Sequence, residues 1–553
     1  MAGIRDREAR DRAAFSDGNV AVTAGAGTGK TTLLVDAVLG RLLVRGVPLR
    51  RVLMLTFTEK AAAEMRIRLE SKLRALLDPV TDEDHRQRTR WNDLAGSPLE
   101  ERARAALAEI DRAEISTIHG FCAHFLREFP IEAGLVPSFA VDEGPKFEEL
   151  FDREWGRWLD AELREESLNR AEWLRVLAKA GLDDLREVAA GLCSFHVPDW
   201  ALDPERALEA GRRKLLHAVT EVSGRLESLA ARHTGVNNLK QQMIQVAAFL
   251  QSPTPAAAEQ LPDKPSSAKT GWPEKTFDAA QKLMAEALPL AADLSRLDTE
   301  LLADALGLLS AFAREFRDGF VREGWVGFDG LLTKTRDLLA SSDFPEVREQ
   351  AKRKFDFIVV DEFQDTDPVQ CEIALFLSED AGARSGDAAS VRLSRGKLFI
   401  VGDPKQSIYS FRGADIVAYE RLKDRILAQG GSRERLETSF RSHSGILGTV
   451  NALFKSIIQK RGEVQPDYEE IFAVEGRDPK LKAQKVEALL FRGAEGRLTS
   501  ENAREAEAGA IADWIAESVG KLEIPDREPG SRRTLRLGDV AILLRALTDV
   551  HLL

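Results

Sequence analysis

The sequence predicts an α/β protein whose parallel sheet is interrupted by a large helical insertion and followed by the start of a second α/β unit. Three observations support this fold class. The first 56 residues run apolar segment, Gly-rich turn, helical stretch and apolar segment, which is the order of a βαβ unit. From about residue 143 to 340 the pattern is almost wholly helical. Short apolar segments typical of buried strands then return at Phe355–Val360 and Lys397–Val401.

Length and composition limit the class of protein further. A chain of 553 residues indicates roughly three or four domains, and 44% apolar with 30% charged residues is the balance of a globular protein. No run of about 18 uncharged apolar residues occurs, and the charged N-terminus lacks a signal-like apolar segment. We therefore expect no membrane partner and a cytoplasmic location. The net charge of −12 argues mildly against a nucleic-acid partner, although a local basic groove remains compatible with it.

The 3 cysteines, Cys122, Cys193 and Cys371, lie far apart in the sequence. They form no CxxC pair and no zinc or iron–sulfur spacing. We expect buried thiols in a reducing compartment, in agreement with a cytoplasmic location.

Each element of the first α/β unit has a local reason in the sequence. Residues 19–24 are apolar and end at a Gly-rich turn, Thr31 to Leu43 reads as a helix, and Arg51–Thr56 reads as a second strand. The next helix carries apolar residues three or four positions apart, and Thr56 with Glu59 fits the spacing of a capping box.

The later part of the chain contains weaker signals. A Pro- and Ser-rich stretch at 252–275 predicts a loop inside the helical insertion. Val486–Phe491 and Val540–Leu544 are candidates for buried strands, with an amphipathic helix at about 501–518 between them. We assign these segments to the start of the second α/β unit.

Residues 24–31 read AGAGTGKT between a strand and a helix. This is the Walker A pattern G-x-x-x-x-G-K-[ST], with Ala24 in place of the first glycine. Lys30 would reach the β- and γ-phosphates and Thr31 would ligate Mg²⁺, so ATP and Mg²⁺ are the expected cofactors of a P-loop NTPase. The alternative is a chance Gly-rich turn, which the strand–helix context disfavours. The expected ATP-binding residues of the loop are Ala24, Gly25, Ala26, Gly27, Thr28, Gly29, Lys30, Thr31 and Thr32.

Two adjacent carboxylates, Asp361 and Glu362, end the apolar segment at 357–360. Beside a phosphate loop, Asp361 would hold Mg²⁺ through its water shell, and Glu362 would orient or deprotonate the attacking water. An acidic pair after a strand is by itself more often a solvated turn. Its combination with the Walker A segment favours the catalytic interpretation.

Six segments in a fixed order resemble the superfamily 1 DNA helicases of the UvrD/Rep class, and among them the AddA/RecB-like branch. The tracts ISTIHGFC and FDGLL favour that branch. The six segments are AGAGTGKT at 24–31, LTFTEKAAAEM at 55–65, ISTIHGFC at 115–122, VVDEFQDTDPVQ at 359–370, IVGDPKQSIYSFRGADI at 400–416 and LETSFRS at 436–442.

The resemblance implies further ATP-site residues. Gln406 would sense the γ-phosphate, Phe440 would stack on adenine, and Arg441 would contact the γ-phosphate as a catalytic cation. A turn glutamine and a surface arginine are the alternatives. Many relatives carry an adenine-reading glutamine before the Walker loop, where this sequence has Ala9 or Arg10.

The resemblance also implies a single-stranded DNA site. Aromatic rings that stack on bases, with hydroxyls and cations at the phosphates, suit binding that is blind to sequence. Base stacking is preferred for Phe57 and for Phe411, where relatives often carry Trp, whereas for Tyr409 and His119 ordinary packing is an equal alternative. The implied DNA-binding residues are Thr56, Phe57, Thr117, His119, Tyr409, Phe411 and Arg412.

The resemblance implies three domains. Residues 1–142 and 326–430 would form a RecA-like ATP-binding motor domain, and 143–325 a helical accessory insertion. Residues 431–553 would start a second RecA-like domain. The family's motifs V and VI, the latter with an arginine finger, have no counterpart before Leu553.

Two functions stay open at this point. One is an ATP-dependent 3′-to-5′ DNA helicase subunit that acts on single-stranded DNA and single-strand/double-strand junctions in double-strand break repair and recombination. Its partner would be a second helicase–nuclease subunit. The other is an ATP- and DNA-binding module with little hydrolysis, because it lacks motifs V and VI. The order of the six segments disfavours any other P-loop ATPase.

Overall fold

The chain forms two compact units, which we call the sheet unit (residues 1–121 and 339–553) and the helical unit (residues 122–338). The boundaries of the motor domains and the insertion that the sequence suggests stay predictions. The computed structural model describes residues 4–96, 98–231, 238–268, 272–460, 465–475, 486–488, 500–525, 531–544, 546 and 550.

A six-stranded parallel sheet is the centre of the sheet unit, in the order β3-β2-β6-β7-β1-β8. Val20 of β1 lies opposite Phe399 of β7 and Ser432 of β8, which sets the register at the centre of the sheet. The strands are β1 Val20–Ala24, β2 Val52–Thr56, β3 Glu114–Thr117, β4 Ala140–Asp142, β5 Trp325–Gly327, β6 Phe357–Val360, β7 Leu398–Gly402, β8 Ser432–Leu436, β9 Thr438–Ser439, β10 Phe472–Ala473, β11 Glu523–Pro525 and β12 Arg532–Thr534.

Helices cover the sheet and make up most of the helical unit. The α-helices are α1 Arg7–Phe15, α2 Lys30–Leu39, α3 Glu59–Leu77, α4 Asp82–Ala95, α5 Leu99–Ala108, α6 Ile118–Glu128, α7 Pro145–Glu162, α8 Arg170–Leu177, α9 Leu182–Cys193, α10 Pro204–Ala231, α11 Asn238–Gln251, α12 Pro255–Ala258, α13 Glu274–Arg296, α14 Thr299–Arg322, α15 Phe328–Ala340, α16 Pro345–Lys354, α17 Pro368–Leu377, α18 Ile416–Ala428, α19 Ser444–Ile457 and α20 Ser500–Ser518. A π-helical turn, Gly40–Val44, extends α2.

The central strands are apolar along their whole length because both faces of the sheet are covered. β1, β2, β6 and β7 are buried at every position. Helix α3 presents Met65, Leu69 and Leu73 to the same core, as its apolar spacing predicts. The α/β fold class with a parallel sheet and a helical insertion is confirmed.

The helical unit has cores of its own. One is formed by α10, α11 and α13, where Met243 and Met284 are fully buried. The other joins α7, α9 and α14 through rings such as Phe151, Trp155 and Phe312, which pack edge to face.

Two local predictions were wrong. The residue that caps α3 is Thr58, whose hydroxyl accepts a hydrogen bond from Ala61 N, so the capping-box pair Thr56 and Glu59 does not form. Residues 540–544 are not a buried strand: in the described chain no neighbouring strand pairs with them, and Leu543 is 94% exposed. Of the strand expected at 486–491, residues 489–491 lie outside the described residues.

All three cysteines are buried and free, as expected. Within the described ranges, no helix combines the length and the apolar character needed to cross a bilayer.

Candidate functional site

The candidate site residues lie at one edge of the sheet. In a parallel sheet all strands end at the same edge, and open α/β sheets bind their ligands there. The phosphate loop follows β1, Phe57 follows β2, Asp361 follows β6, and Asp403 follows β7. The chain reaches Phe440 and Arg441 shortly after β8.

The phosphate loop is a tight turn that opens α2. Gly27 and Gly29 have φ angles of 72° and 81°, which L side chains rarely adopt, and Gly29 is the N-cap residue of α2. The buried Thr28 hydroxyl donates to Gly25 O at 2.8 Å and closes the turn. No side chain caps α2, so its first N–H groups are not occupied by a capping side chain. Together with the positive end of the helix dipole, these N–H groups favour an anion at the loop.

Lys30 and Glu362 form an ion pair across the loop. The distance from Lys30 Nζ to Glu362 Oε2 is 2.6 Å, and the lysine side chain is 11% exposed. Glu362 has a φ angle of 48°, and among the described residues it is the only non-glycine with positive φ. Such backbone strain costs about 1–3 kcal/mol and is typical of functional sites. The lysine expected at the phosphates therefore meets the carboxylate expected at the attacking water.

Two further carboxyls near Glu362 are perturbed. Burial, with a smaller contribution from Glu362, raises the pKa of Asp361 to about 7, and Lys30 only partly opposes this. Burial and Glu362 also raise the pKa of Asp365 to about 6, against a hydrogen bond from Gln364. Burial, and then the charge of Glu362, therefore disfavours the ionised forms of Asp361 and Asp365, and Lys30 does not fully offset this.

One cleft of about 330 Å³ collects several candidate ATP residues, and Arg68 of α3 lines it as well. The sequence did not predict Arg68 as a site residue. The only feature that distinguishes it on α3 is its position directly before the buried Leu69. The residues that line this cleft are Gly27, Gly29, Lys30, Thr31, Thr32, Arg68, Glu362, Phe440 and Arg441.

The segment that carries Phe440 and Arg441 lies directly against the phosphate loop. Phe440 N donates to Gly27 O at 2.8 Å. A Cβ atom on Gly27 would lie 2.5 Å from Arg441 Cβ, and one on Gly25 would lie 2.6 Å from Ile471 Cγ2. These contacts explain why the loop has glycine at both positions. Ala24 is buried at the end of β1, whereas Ala26 is exposed.

Arg10 is one of the two residues, with Ala9, that the sequence resemblance puts where many relatives would carry a glutamine. Its guanidinium binds Asp6 Oδ1 at 2.9 Å and Thr28 O at 2.8 Å, and it lies over the Phe440 ring at 5.1 Å from the ring centroid. Arg10 and Phe440 also line a second cleft, of about 580 Å³, next to the phosphate loop. Arg10 therefore ties the loop to the candidate base-stacking ring.

Asp6 holds the backbone just before Phe440. Its Oδ2 accepts hydrogen bonds from Glu437 N at 2.7 Å and Thr438 N at 2.9 Å. Burial acts to raise the pKa of Asp6, but the hydrogen bonds from Arg10 and Thr438 outweigh burial and lower it. The sequence pattern singled out neither the Asp6 carboxyl nor its bond to Arg10.

Gln406 lies in the short helix Pro404–Gln406 after β7. Its Nε2 donates to Asp403 Oδ2 at 2.7 Å, and Lys405 Nζ lies 2.9 Å from Asp403 Oδ1. Gln406 is not part of the 330 Å³ cleft that holds Lys30 and Arg441.

Three of the candidate DNA-binding residues are aromatic and form a row. The ring centroids of Phe57 and Tyr409 lie 5.1 Å apart, and those of Tyr409 and Phe411 lie 5.9 Å apart. Phe411 is 78% exposed, which is unusual for a large aromatic side chain. Phe411 therefore gives the row an exposed ring of the kind that stacks on bases, whereas Phe57 and Tyr409 are half-buried.

Two of the remaining DNA-binding candidates, Thr56 and His119, lie beside the acidic pair. Thr56, Phe57 and His119 line a small cavity together with Asp361 and Glu362. This cavity links the candidate DNA residues to the candidate catalytic carboxylates.

The threonines differ in their contacts. Buried Thr56 Oγ1 has no hydrogen-bond partner among the described residues. Thr117 Oγ1 donates to Glu59 Oε1 at 2.7 Å. Arg412 ends the short helix Ser410–Arg412, and its side chain lies outside the described part of the chain.

The oxygen donors Thr31 and Asp361 fit a Mg²⁺ ion bound together with phosphates and water. Mg²⁺ is usually held by one or two protein oxygens plus phosphate oxygens and waters. Burial disfavours the ionised form of Asp361, and a bound cation would stabilise that form. Within the described residues, no group of three or more His, Cys, Asp and Glu side chains could hold a metal ion alone.

A phosphate loop at the carboxyl edge of a parallel sheet, with a lysine paired to a strand-end carboxylate, defines a P-loop nucleotide-binding protein. The model of the UvrD/REP helicase N-terminal domain family matches residues 6–426. The chain therefore belongs to the UvrD/REP helicase family, and the resemblance seen in the sequence is confirmed.

Relatives that share one name align with nearly the whole chain. An ATP-dependent helicase/nuclease subunit of Pelotomaculum thermopropionicum is 28% identical over 99% of this chain and 49% of its own length. The proteins of that name from Carboxydothermus hydrogenoformans and Bacillus licheniformis are 28% and 26% identical, over 97% and 96% of this chain and 48% and 46% of their own lengths. The chain thus spans about half the length of the curated relatives it matches.

Proposed function

We propose that the chain is the ATP-binding motor portion of an ATP-dependent DNA helicase subunit that moves 3′-to-5′ on single-stranded DNA. The observation that carries this proposal is the ion pair of Lys30 with Glu362 in a cleft that Phe440 and Arg441 also line. An aromatic row that includes Phe57 is formed by segments that follow β2 and β7 at the same edge of the sheet. Membership in the UvrD/REP helicase family supports the same function.

The proposed chemistry starts with the exchange of ionic partners. Arriving phosphates compete for Lys30, which leaves Glu362 free to accept a proton from, or to orient, the attacking water. Arg441, which also lines the cleft, would stabilise charge that builds up during phosphoryl transfer. Thr31 and Asp361 would hold Mg²⁺, which when bound supplies positive charge at the phosphate oxygens.

The proposed DNA site is the aromatic row with the neighbouring strand ends. Bases would stack on Phe57 and Phe411, while Thr56, Thr117 and His119 would contact the backbone. Because Thr56, Phe57 and His119 share a cavity with Asp361 and Glu362, the occupancy of one site can change the geometry of the other.

The biological setting is proposed from the relatives. Proteins named as one subunit of a helicase/nuclease imply a second subunit. We infer that this chain works with such a partner on single-strand/double-strand junctions, in double-strand break repair and recombination. Movement on DNA oligonucleotides blocked with streptavidin at one end tests polarity, and faster displacement from 5′ ends than from 3′ ends is the expected result. Displacement from 3′ ends alone would exclude 3′-to-5′ movement.

The phosphate-loop assignment is tested by Lys30→Ala. Loss of charge-assisted hydrogen bonds worth about 1.5–3 kcal/mol should raise the Kd for Mg-ATP about 10- to 100-fold. Calorimetric titration measures this. Lys455→Ala is the matched control, because Lys455 is exposed and pairs only with Glu470 in the described contacts. An unchanged Kd in Lys30→Ala would contradict nucleotide binding at this loop.

A further inference from the structure

Gln364 is a buried polar residue to which the mechanism above gives no role. It lies in the short helix Phe363–Asp365, directly after the acidic pair, and its exposed fraction is 1%. A buried carboxamide is retained without cost only when its donors and acceptor are satisfied. The partners that satisfy Gln364 therefore indicate what it does.

The Gln364 amide joins two different strand ends. Its Nε2 donates to Glu362 Oε2 at 3.0 Å and to Asp365 Oδ2 at 2.9 Å. Its Oε1 accepts a hydrogen bond from Asp403 N at 2.8 Å. Glu362 and Asp365 follow β6, whereas Asp403 follows β7. A single side chain thus links the candidate catalytic carboxylate to the start of the loop that carries Gln406.

The orientation of this amide is fixed by chemistry. Ionised carboxylates only accept hydrogen bonds and a backbone N–H only donates, so rotating the amide by half a turn would break all three bonds. Gln364 also packs closely against the end of β7: a Cβ atom on Gly402 would lie 2.8 Å from Gln364 Oε1 and 3.1 Å from Gln364 N. Gln364 therefore transmits a displacement of one strand end to the other.

The contacts continue in both directions from Gln364. Towards the nucleotide, Glu362 Oε2 lies 2.6 Å from Lys30 Nζ. Towards the aromatic row, Asp403 Oδ2 accepts from Gln406 Nε2 at 2.7 Å, and Tyr409 follows in the same loop. The result is a continuous series from Lys30 through Glu362, Gln364 and Asp403 to Gln406.

We propose that Gln364 is a positioning residue that holds Glu362 in its strained conformation and couples the nucleotide site to the DNA-binding loop. The proposal rests on the proposed function and adds the route by which DNA regulates the nucleotide site. Release of Lys30 by phosphates frees Glu362, Gln364 carries the movement to Asp403, and the loop that bears Tyr409 shifts. By thermodynamic reciprocity, DNA on that loop changes nucleotide affinity by the same factor.

The test measures coupling rather than affinity. We titrate the full chain with Mg-AMPPNP, a non-hydrolysable ATP analogue, in the presence and absence of a saturating oligo(dT) of twenty nucleotides. In the wild type, oligo(dT) should change the Kd for the analogue about fivefold or more. Gln364→Met keeps the shape but removes all three bonds. It should reduce that factor to about two or less, whatever the Kd measured without DNA.

Two other variants complete the design. Gln429→Met removes a glutamine that likewise bridges backbone groups, Leu393 N and Val391 O, in the same unit, and it should retain the wild-type coupling factor. Gln364→Glu keeps the bond to Asp403 N but replaces the donating group, so it should lose coupling as Gln364→Met does. It also gives an answer if the methionine variant does not fold.

Each result decides the proposal. Wild-type coupling in both Gln364 variants, an equal loss in Gln429→Met, or no coupling in the wild type would overturn it. Failure of the proposed function is a different result: analogue binding that does not depend on Lys30, or an aromatic row that does not bind oligo(dT).

Discussion

Asp365 shows how the crowded carboxylates affect stability. Its pKa is raised from the ordinary 3.8 to about 6, mainly by burial and then by Glu362. The folded chain therefore holds this proton over a pH range in which the unfolded chain has lost it. Stability should fall as the pH rises from about 4 to about 6, and should change no further above that range through this group.

Asp365→Asn should remove this penalty. We expect a free energy of unfolding about 1–2 kcal/mol higher than wild type at pH 8, because the group is only partly buried and solvent screens part of the repulsion. The difference should disappear near pH 4. Urea denaturation at both pH values measures it, with exposed Asp424→Asn as the control. A gain that does not depend on pH would show that the raised pKa of Asp365 is not the cause.

Phe57 tests the aromatic row at the same scale. Phe57→Ala should weaken binding of a single-stranded oligonucleotide by about 1–3 kcal/mol, which is the range for one lost stacking contact. Fluorescence anisotropy measures the Kd. Phe454→Ala is the control, since Phe454 is an exposed ring that stacks on Tyr468 elsewhere in the sheet unit. Equal affinities for the two variants would assign Phe57 to packing.

What the sequence predicted of the site depended on adjacency along the chain. Lys30 and Glu362 belong to short sequence segments that each indicate a chemical role. In the structure Lys30 Nζ lies 2.6 Å from Glu362 Oε2. Arg68, the Asp6–Arg10 pair and the contacts of Gln364 were not predicted. Their partners come from distant segments, and only the folded sheet edge brings them together.

At the scale of elements, burial decided which predictions succeeded. The strands at 20–24, 52–56, 357–360 and 398–402 are largely apolar because neighbouring elements cover both faces of the sheet. Local composition was therefore sufficient to predict these strands. The apolar segment 540–544 resembles them, but a strand requires a partner for its backbone, and no described strand pairs with it.

Arg317 holds an element junction in the helical unit. From α14, its buried guanidinium donates to Leu192 O at 2.7 Å, to Val197 O at 2.8 Å and to Ser194 O, and it pairs with Asp199. These carbonyls end α9 and form the loop after it. The helical pattern of the sequence did not indicate this role, because an arginine on a helix is usually expected to face solvent.

Arg317→Met should therefore destabilise the end of α9. The buried carbonyls would lose charge-assisted hydrogen bonds, at a cost of about 2–4 kcal/mol. Hydrogen exchange of the α9 amides measures the loss locally. Arg322→Met, on an exposed part of α14, is the control and should leave α9 within about 0.5 kcal/mol of wild type. No faster exchange in Arg317→Met would contradict the assignment.

The two units of the molecule differ in how far sequence reasoning applied to them. The sheet unit contains all six family segments apart from the end of ISTIHGFC. These segments can be recognised in a sequence because sites for phosphate and DNA require particular side chains. The helical unit requires only apolar spacing, which many sequences satisfy, so its helices were predictable but its packing was not. Its cores, around Met243 and around Phe312, have no motif to mark them.

Nucleotide binding should distinguish the units by mass action. At a Mg-ATP concentration of about 100 Kd, binding stabilises the folded sheet unit by about 2.7 kcal/mol. Amides that exchange only when the sheet unit unfolds should therefore exchange about 100-fold more slowly. β1 and β7 supply those amides, and α11, in a separate core, supplies the comparison. Hydrogen exchange with and without Mg-ATP measures both. Lys30→Ala should abolish the slowing in β1, and equal slowing in β1 and α11 would show that the binding energy is not confined to the sheet unit.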